Sequence, residues 1–236
     1  MILREGEHHR DLTGGWLRPA VFGMMDGLVS NVALMVGVAG GAQAAGTSST
    51  TAVVTAGLAG LAAGAFSMAA GEYVSVSSQA EMARAEIEKE RIEIARNPQA
   101  EGDELAQMWI ERGIDSKVAH SMASEIMQYP DLALEVHSRE ELGMTLEDLP
   151  NPWVAGISSF IAFAIGAVVP VLPYVFGADS IGPALIAALL GLFVTGALTS
   201  LVTIRSWWYS GLRQVVIGGA AAALTYGLGT LVGAGL

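Results

Sequence analysis

Two sets of residues in this chain have the types and spacing to bind cations. The first is Asp26, Met68 and Glu72, which stand inside long apolar stretches. An ionisable group near a bilayer core costs about 2.5–3.5 kcal/mol on insertion scales, a cost that usually marks function. A carboxyl so placed can exchange a proton for a metal ion, which is the central step of a proton-coupled antiporter. Met68 lies one helical turn from Glu72 and adds a thioether on the same face, which favours Fe²⁺, Mn²⁺ or Zn²⁺ over Mg²⁺ or Ca²⁺. The plainer readings are that Glu72 sits at headgroup level and that Met68 only packs. The second set is two Glu-x-x-Glu pairs, Glu90/Glu93 and Glu101/Glu104, on either side of Asn97-Pro98. Each pair presents two carboxylates on one helix face, and placed antiparallel across that turn they can bind several divalent ions. A solvated acidic face is the alternative.

At helical spacing the two sets join. Positions 68, 72, 75, 79, 82, 86, 90 and 93 share one stripe and read Met, Glu, Ser, Gln, Met, Glu, Glu, Glu, so Glu86 falls on the same track as a further candidate ligand. Residues 81–150 hold seventeen of the twenty-three acids and seven of the twelve bases, and so carry nearly all of the net charge of −11. That excess is self-repelling, and bound cations relieve it.

Other chemistries find no residues. The chain has no cysteine, so disulfides, thiolate metal sites and thiol redox chemistry are excluded. No Glu-x-x-His pair of the di-iron carboxylate bundles occurs, because Lys117 precedes His120 by three and Leu134 precedes His137 by three. His8 and His9 are expected to face solvent. No zinc-protease, nucleophile-elbow or phosphate-loop motif is present, and an acidic chain does not suit nucleic acid. The chain is therefore not expected to be an enzyme.

The elements that must position these residues are helices, and most of them are membrane spans. Hydrophobic residues make up 52% of the chain and charged ones 15%, well below the 25% or so usual for soluble domains. Between Arg18 and Glu72 the only charge is Asp26, and the small polar linker 42–50 divides this interval into span one, about 19–41, and span two, from about 51. Each reaches the roughly 20 residues that a bilayer requires. Both are rich in glycine four apart (Gly23/Gly27, Gly37/Gly41, Gly60/Gly64), which suits the interior of a bundle. Span two does not stop at the membrane surface: residues 72–96 contain no Pro and no Gly, so one helix is expected from 51 to 96. Three short amphipathic helices follow, at about 101–112, 115–128 and 131–142, each ended by Gly or Pro. Their apolar faces are expected to hold Leu105, Met108, Trp109, Val118, Met122, Ile126, Leu132 and Leu142. Spans three to five are read at about 153–176, 181–204 and 212–235, with Pro170 and Pro173 kinking the third and Trp153, Trp207, Trp208 and Tyr209 at water interfaces.

The resulting expectation is an all-α membrane protein with five transmembrane helices. Residues 1–80 hold the N-terminus and spans one and two, 81–150 an acidic helical metal-binding domain, and 151–236 spans three to five. With five spans all twelve bases fall on one side of the membrane, which the positive-inside rule assigns to the cytoplasm. The N-terminus and the acidic domain are then cytoplasmic and the C-terminus outside. No secretory signal precedes the first span, and the short termini point to a prokaryotic plasma membrane.

Three runs carry a resemblance. Arg18-Pro-Ala-Val-Phe-Gly-Met-Met-Asp26-Gly-Leu-Val-Ser, then Ala65-Phe-Ser-Met68-Ala-Ala-Gly-Glu72-Tyr-Val-Ser, then the Glu-rich helix and Glu141-Leu-Gly before Asn151-Pro-Trp closely resemble the vacuolar iron transporter family. The resemblance implies a homodimer of five-span subunits that exports Fe²⁺, and often Mn²⁺, from the cytosol in exchange for protons. The metal, including Zn²⁺ or Co²⁺ where accepted, is cargo; no permanent cofactor is implied. By motif position, Asp26, Met68 and Glu72 line the path, and Glu90, Glu93, Glu101, Glu104 and Glu141 are ligands of the cytoplasmic domain. Where eukaryotic members carry a Met pair before Glu-Leu-Gly this chain has His137-Ser138, and His137 can replace a thioether ligand. Some members also carry an acid two turns before the span-two Met, where this chain has Gly60. A second reading from a different class is a membrane-anchored metal-binding or sensing protein that does not transport.

Overall fold

The computed structural model describes residues 15–47, 49–146, 149–201 and 204–235. His8, His9, Arg4 and Arg10 lie outside the described residues. Those described form only helices and connections: α1 (Leu17–Ala44), α2 (Thr50–Arg96), α3 (Pro98–Glu111), α4 (Ser116–Ile126), α5 (Pro130–Glu141), α6 (Pro152–Val168), α7 (Leu172–Val175), α8 (Ile181–Thr199) and α9 (Trp207–Gly235). The chain divides into two compact units, one with Gly14–Val74 and Pro152–Leu236 and one with Ser75–Asn151. The 47-residue α2 runs without interruption and contributes to both.

In the apolar unit α1 is the central helix, packed by α6, α8 and α9. Small residues make this possible. A β-carbon on Gly23 would come within 2.7 Å of the Ser159 carbonyl, so α1 and α6 meet backbone to backbone only because glycine stands there. Buried Val32, Met35, Val36, Phe163, Ala167, Ala184 and Ala188 fill the space around α1. Large apolar residues point outward instead: Ile157, Ile161 and Ile165 on α6, and Ile186, Leu190, Val194 and Leu198 on α8, are all exposed at helical spacing. Small residues inside and rows of Ile and Leu outside are an arrangement suited to lipid.

Four helices (α1, α2, α8 and α9) are long and apolar enough to cross a membrane, and α6 is a shorter apolar helix. The expected third span is interrupted rather than kinked. Its helix stops at Val168, turns through Val169–Val171 and resumes for one turn as α7. Pro170 cannot donate to the carbonyl four residues back and its ring clashes there, and Pro173 repeats the obstacle three residues on. α8 ends five residues short of the expected boundary, and α9 begins five residues early, so Trp207, Trp208 and Tyr209 are helical. Span two also differs from expectation. It touches neighbours along its Gly57, Gly60 and Gly64 edge, where β-carbons would meet Met35, Asn31 and Phe163, whereas Leu58, Phe66 and Val74 are exposed.

In the acidic unit each helix starts on a recognisable signal. Pro98 and Pro130 open α3 and α5, where a missing N–H costs nothing, and the Asp115 carboxylate caps α4 by accepting from the amides of Lys117 at 3.0 Å and Val118 at 3.4 Å. Gly113 and Gly143 follow α3 and α5 at φ +95° and +68°, where any other residue would be strained. Two small cores hold the unit: Leu105, Ala106, Trp109, Ala119 and Ala123, and Ile87, Ile94, Ala133 and Leu134. Val118, Met122 and Leu132, expected inside, are exposed. The alanines beside them let the helices approach closely and so take the inner face.

Candidate metal centre

One group of metal-ligating side chains is assembled in the acidic unit. Glu90 of α2, Glu101 of α3 and His137 and Glu141 of α5 each bring a ligand atom within 4.8 Å of the others. The four-residue spacing on α5 puts His137 and Glu141 on one face, and the Asn97 turn returns Glu101 towards Glu90. His137 is fully buried and Glu90 is 5% exposed. The His137 Nδ1 lies 3.0 Å from Glu90 Oε1 and 3.3 Å from Glu141 Oε1. Nδ1 thus faces two carboxylates across the space that a bound cation would share with them. Ligands on opposite sides of an ion with bonds of about 2.1–2.2 Å are about 4.4 Å apart. The four atoms need only small adjustments to close on one ion.

The electrostatics favour a cation. Burial, followed by the charges of Glu141, Glu101 and Glu93 and a hydrogen bond with Glu141, pushes the Glu90 carboxyl up to about 7. Glu101 is raised as well, by burial and then by Glu104, with His137 opposing. Three carboxylates so close cannot all ionise without a positive partner. Among the described residues neither Lys nor Arg pairs with Glu90, Glu101 or Glu141, whereas three acids outside the group do find bases: Glu86 with Lys89, Glu88 with Arg91, Glu135 with Arg139. Glu140, next to Glu141 in sequence, is held elsewhere by Trp109 and Arg112.

Not every expected ligand joins this group. Glu93 and Glu104 are exposed and act on it through their charge. Glu86 is exposed and engaged with Lys89 at 3.8 Å. His137, which sequence reasoning held only as a substitute ligand, is at the centre.

The apolar unit contains a second polar site, a cavity of about 240 Å³ lined by Asp26, Ser30, Asn31, Leu34, Gly60, Gly64, Ser67, Met68 and Phe163. Asp26 and Met68, proposed as partners from sequence, share it. Glu72, one turn beyond Met68, is partly buried and is not among the lining residues. Asn31 was missed, although an amide five residues after Asp26 in an apolar run was a legible signal.

Apolar helices of spanning length with small residues inside, a polar cavity among them and a carboxylate–imidazole group in a separate acidic unit are the features of an integral membrane protein with candidate cation sites. Comparison with known proteins gives the family. The model of the VIT family matches residues 17–230, and the chain belongs to that family. It is 36% identical to a vacuolar iron transporter of Acanthamoeba castellanii over 96% of this chain and 83% of that protein. It is 29% identical to vacuolar iron transporter 1 of Eucalyptus grandis (93% of this chain, 87% of that one) and 28% identical to vacuolar iron transporter 1 of Arabidopsis thaliana (96% and 91%). The family and these relatives are transporters, not enzymes.

Proposed function

We propose that this protein is a metal-ion transporter: a proton-coupled antiporter that exports Fe²⁺, and Mn²⁺ with it, from the cytosol. The observation that carries the reading is that one unbroken helix, α2, supplies Met68 to the cavity beside Asp26 and Glu90 to the carboxylate–imidazole group. Metal loads onto Glu90, Glu101, His137 and Glu141, with Glu93 and Glu104 drawing it in by charge. It then passes to Asp26 and Met68, with Glu72 between, and is released as the carboxylates take up protons. A mixed oxygen and nitrogen ligand set suits Fe²⁺ and Mn²⁺ and also admits Zn²⁺ or Co²⁺.

The proposed topology has five spans, α6 with the following turn and α7 forming the third, in a prokaryotic plasma membrane. The N-terminus and the acidic unit face the cytoplasm. The exposed Leu58, Phe66 and Val74 on α2 support a homodimer, since a second copy would cover them. Uptake of Fe²⁺ into proteoliposomes under a pH gradient tests the reading. Transport that follows the gradient and is lost in Asp26→Ala is the expected result. Metal binding with no flux in the wild type would turn the assignment to a membrane-anchored binding or sensing protein.

A further inference from the structure

Asn31 is 2% exposed and lines the Asp26–Met68 cavity. Its Nδ2 donates to the Ala167 carbonyl of α6 at 2.6 Å. This bond fixes the amide's orientation, because only the NH₂ group can face a carbonyl oxygen and a flipped amide would set two oxygens against each other. The Oδ1 is thereby presented on the other side, buried and without a hydrogen-bond partner among the described residues. An unpaired buried acceptor costs about 1–3 kcal/mol. Holding α1 against α6 needs only the donor, so anchoring leaves that cost unexplained.

The oxygen reaches over Gly60 of α2, where a β-carbon would lie only 2.6 Å from it. Gly60 thus keeps open the space that Oδ1 occupies, and both residues line the cavity. The Ser30 hydroxyl differs in that it is exposed and its hydrogen goes to the Asp26 carbonyl at 2.5 Å, so it carries no buried orphan acceptor. A divalent ion that sheds water in an apolar surrounding needs oxygen donors in its place, and at about 30 Å³ per water a cavity of about 240 Å³ has room for an ion with a partial shell.

We infer that the Asn31 amide oxygen is a further metal-coordinating group of the membrane cavity, held in place by the Ala167 carbonyl and given room by Gly60. This rests on the reading of the cavity as the transport path. As a neutral donor it adds a ligand without adding a charge to be neutralised, so Asp26 remains the group that exchanges proton for metal.

The test measures initial rates of Fe²⁺ and Mn²⁺ uptake by the full-length protein in proteoliposomes over a range of metal concentrations. Asn31→Leu removes the oxygen at similar volume. The expected result is a KM roughly tenfold higher, the size of one lost bond to a charged group, with a smaller change in Vmax. An unchanged KM with reduced Vmax for both metals would mean that Asn31 only ties α1 to α6, and would overturn the inference. Gly60→Ala keeps the Asn31 side chain but puts a β-carbon 2.6 Å from its oxygen, so it decides the matter if Asn31→Leu does not fold. It is expected to raise KM in the same direction, and a wild-type KM refutes the assignment. Asp26→Asn separates the two levels of argument. Wild-type flux in that variant removes the path reading itself, whereas lost flux in Asp26→Asn beside a normal KM in Asn31→Leu removes only the role of Asn31.

Discussion

The acidic unit and the cavity of the apolar unit both hold carboxylates, yet they are built on opposite principles. In the acidic unit three carboxylates and an imidazole crowd within 4.8 Å, with Glu93 and Glu104 adding charge from outside. Negative charge is abundant there, and the difficulty is repulsion. In the cavity there is one acid, Asp26, with a thioether, hydroxyls and an amide around it. Charge is scarce there, and the difficulty is desolvation. In the transport proposed above, a metal would be collected at the charge-rich site and passed to one with a single carboxylate. On that proposal, relief of repulsion favours binding at the first site, and the cost of desolvation limits it at the second.

The largest effect is expected from removing the scarce charge. Asp26→Ala is expected to lower proton-driven Fe²⁺ flux on the order of a hundredfold, equivalent to about 3 kcal/mol, while calorimetric metal binding to the acidic unit stays intact. Loss of both would show that the two sites are not independent. Next in size, His137→Ala and Glu90→Gln should each weaken metal binding about ten- to hundredfold, or roughly 1.4–2.8 kcal/mol, measured by titration calorimetry. Flux at saturating metal should fall far less, because loading can be driven by concentration.

A smaller effect sharpens the acidic side through pH. Glu90 is raised from 4.5 to about 7, so the folded state holds that proton more tightly than the unfolded chain does. Its contribution to stability is present below pH 4.5 and is lost as pH climbs through 7. The Tm of metal-free protein should therefore drop across that window, and added Mn²⁺ should offset the drop at the upper end. Affinity for Mn²⁺ should rise by up to about tenfold per pH unit below 7 and level off above it, as proton competition ends. The smallest effect is expected from Glu86→Gln. This residue is exposed and paired with Lys89, and such surface pairs contribute little, so metal affinity and Tm should match wild type. A clear loss of affinity would mean that the collecting site extends further up α2.

Sequence was informative where the physical signal is local. The unbroken α2 was legible because residues 72–96 lack any breaker, and the stops at Asn97-Pro98, Gly113 and Gly143 follow from backbone geometry that no neighbour can override. That Asp26 and Met68 share a cavity was expected from sequence, because a charged group in an apolar run is costly and calls for polar neighbours. The faces of α4 and α5 were misread, since size suggested Val118, Met122 and Leu132 while close helix approach selected Ala119, Ala123 and Ala133. The broken third span was half legible: the prolines announced a disturbance, but helix spacing does not say whether neighbours will hold a kink or allow a break.

What the sequence determined by itself is the class of molecule, the order of its helices, the segregation of charge and the family to which it belongs, because composition, periodicity and motif order need no third dimension. Which acids form a site was decided only by tertiary structure. Glu86, Glu90 and Glu93 share one helical stripe and one chemistry, yet only Glu90 meets His137 and Glu101 while Glu86 turns to Lys89. Asn31 likewise becomes a candidate ligand only because Ala167 holds its NH₂ and Gly60 leaves room for its oxygen. Ligation depends on distances of a few ångströms between residues far apart in the chain, and those distances are set by how the helices pack.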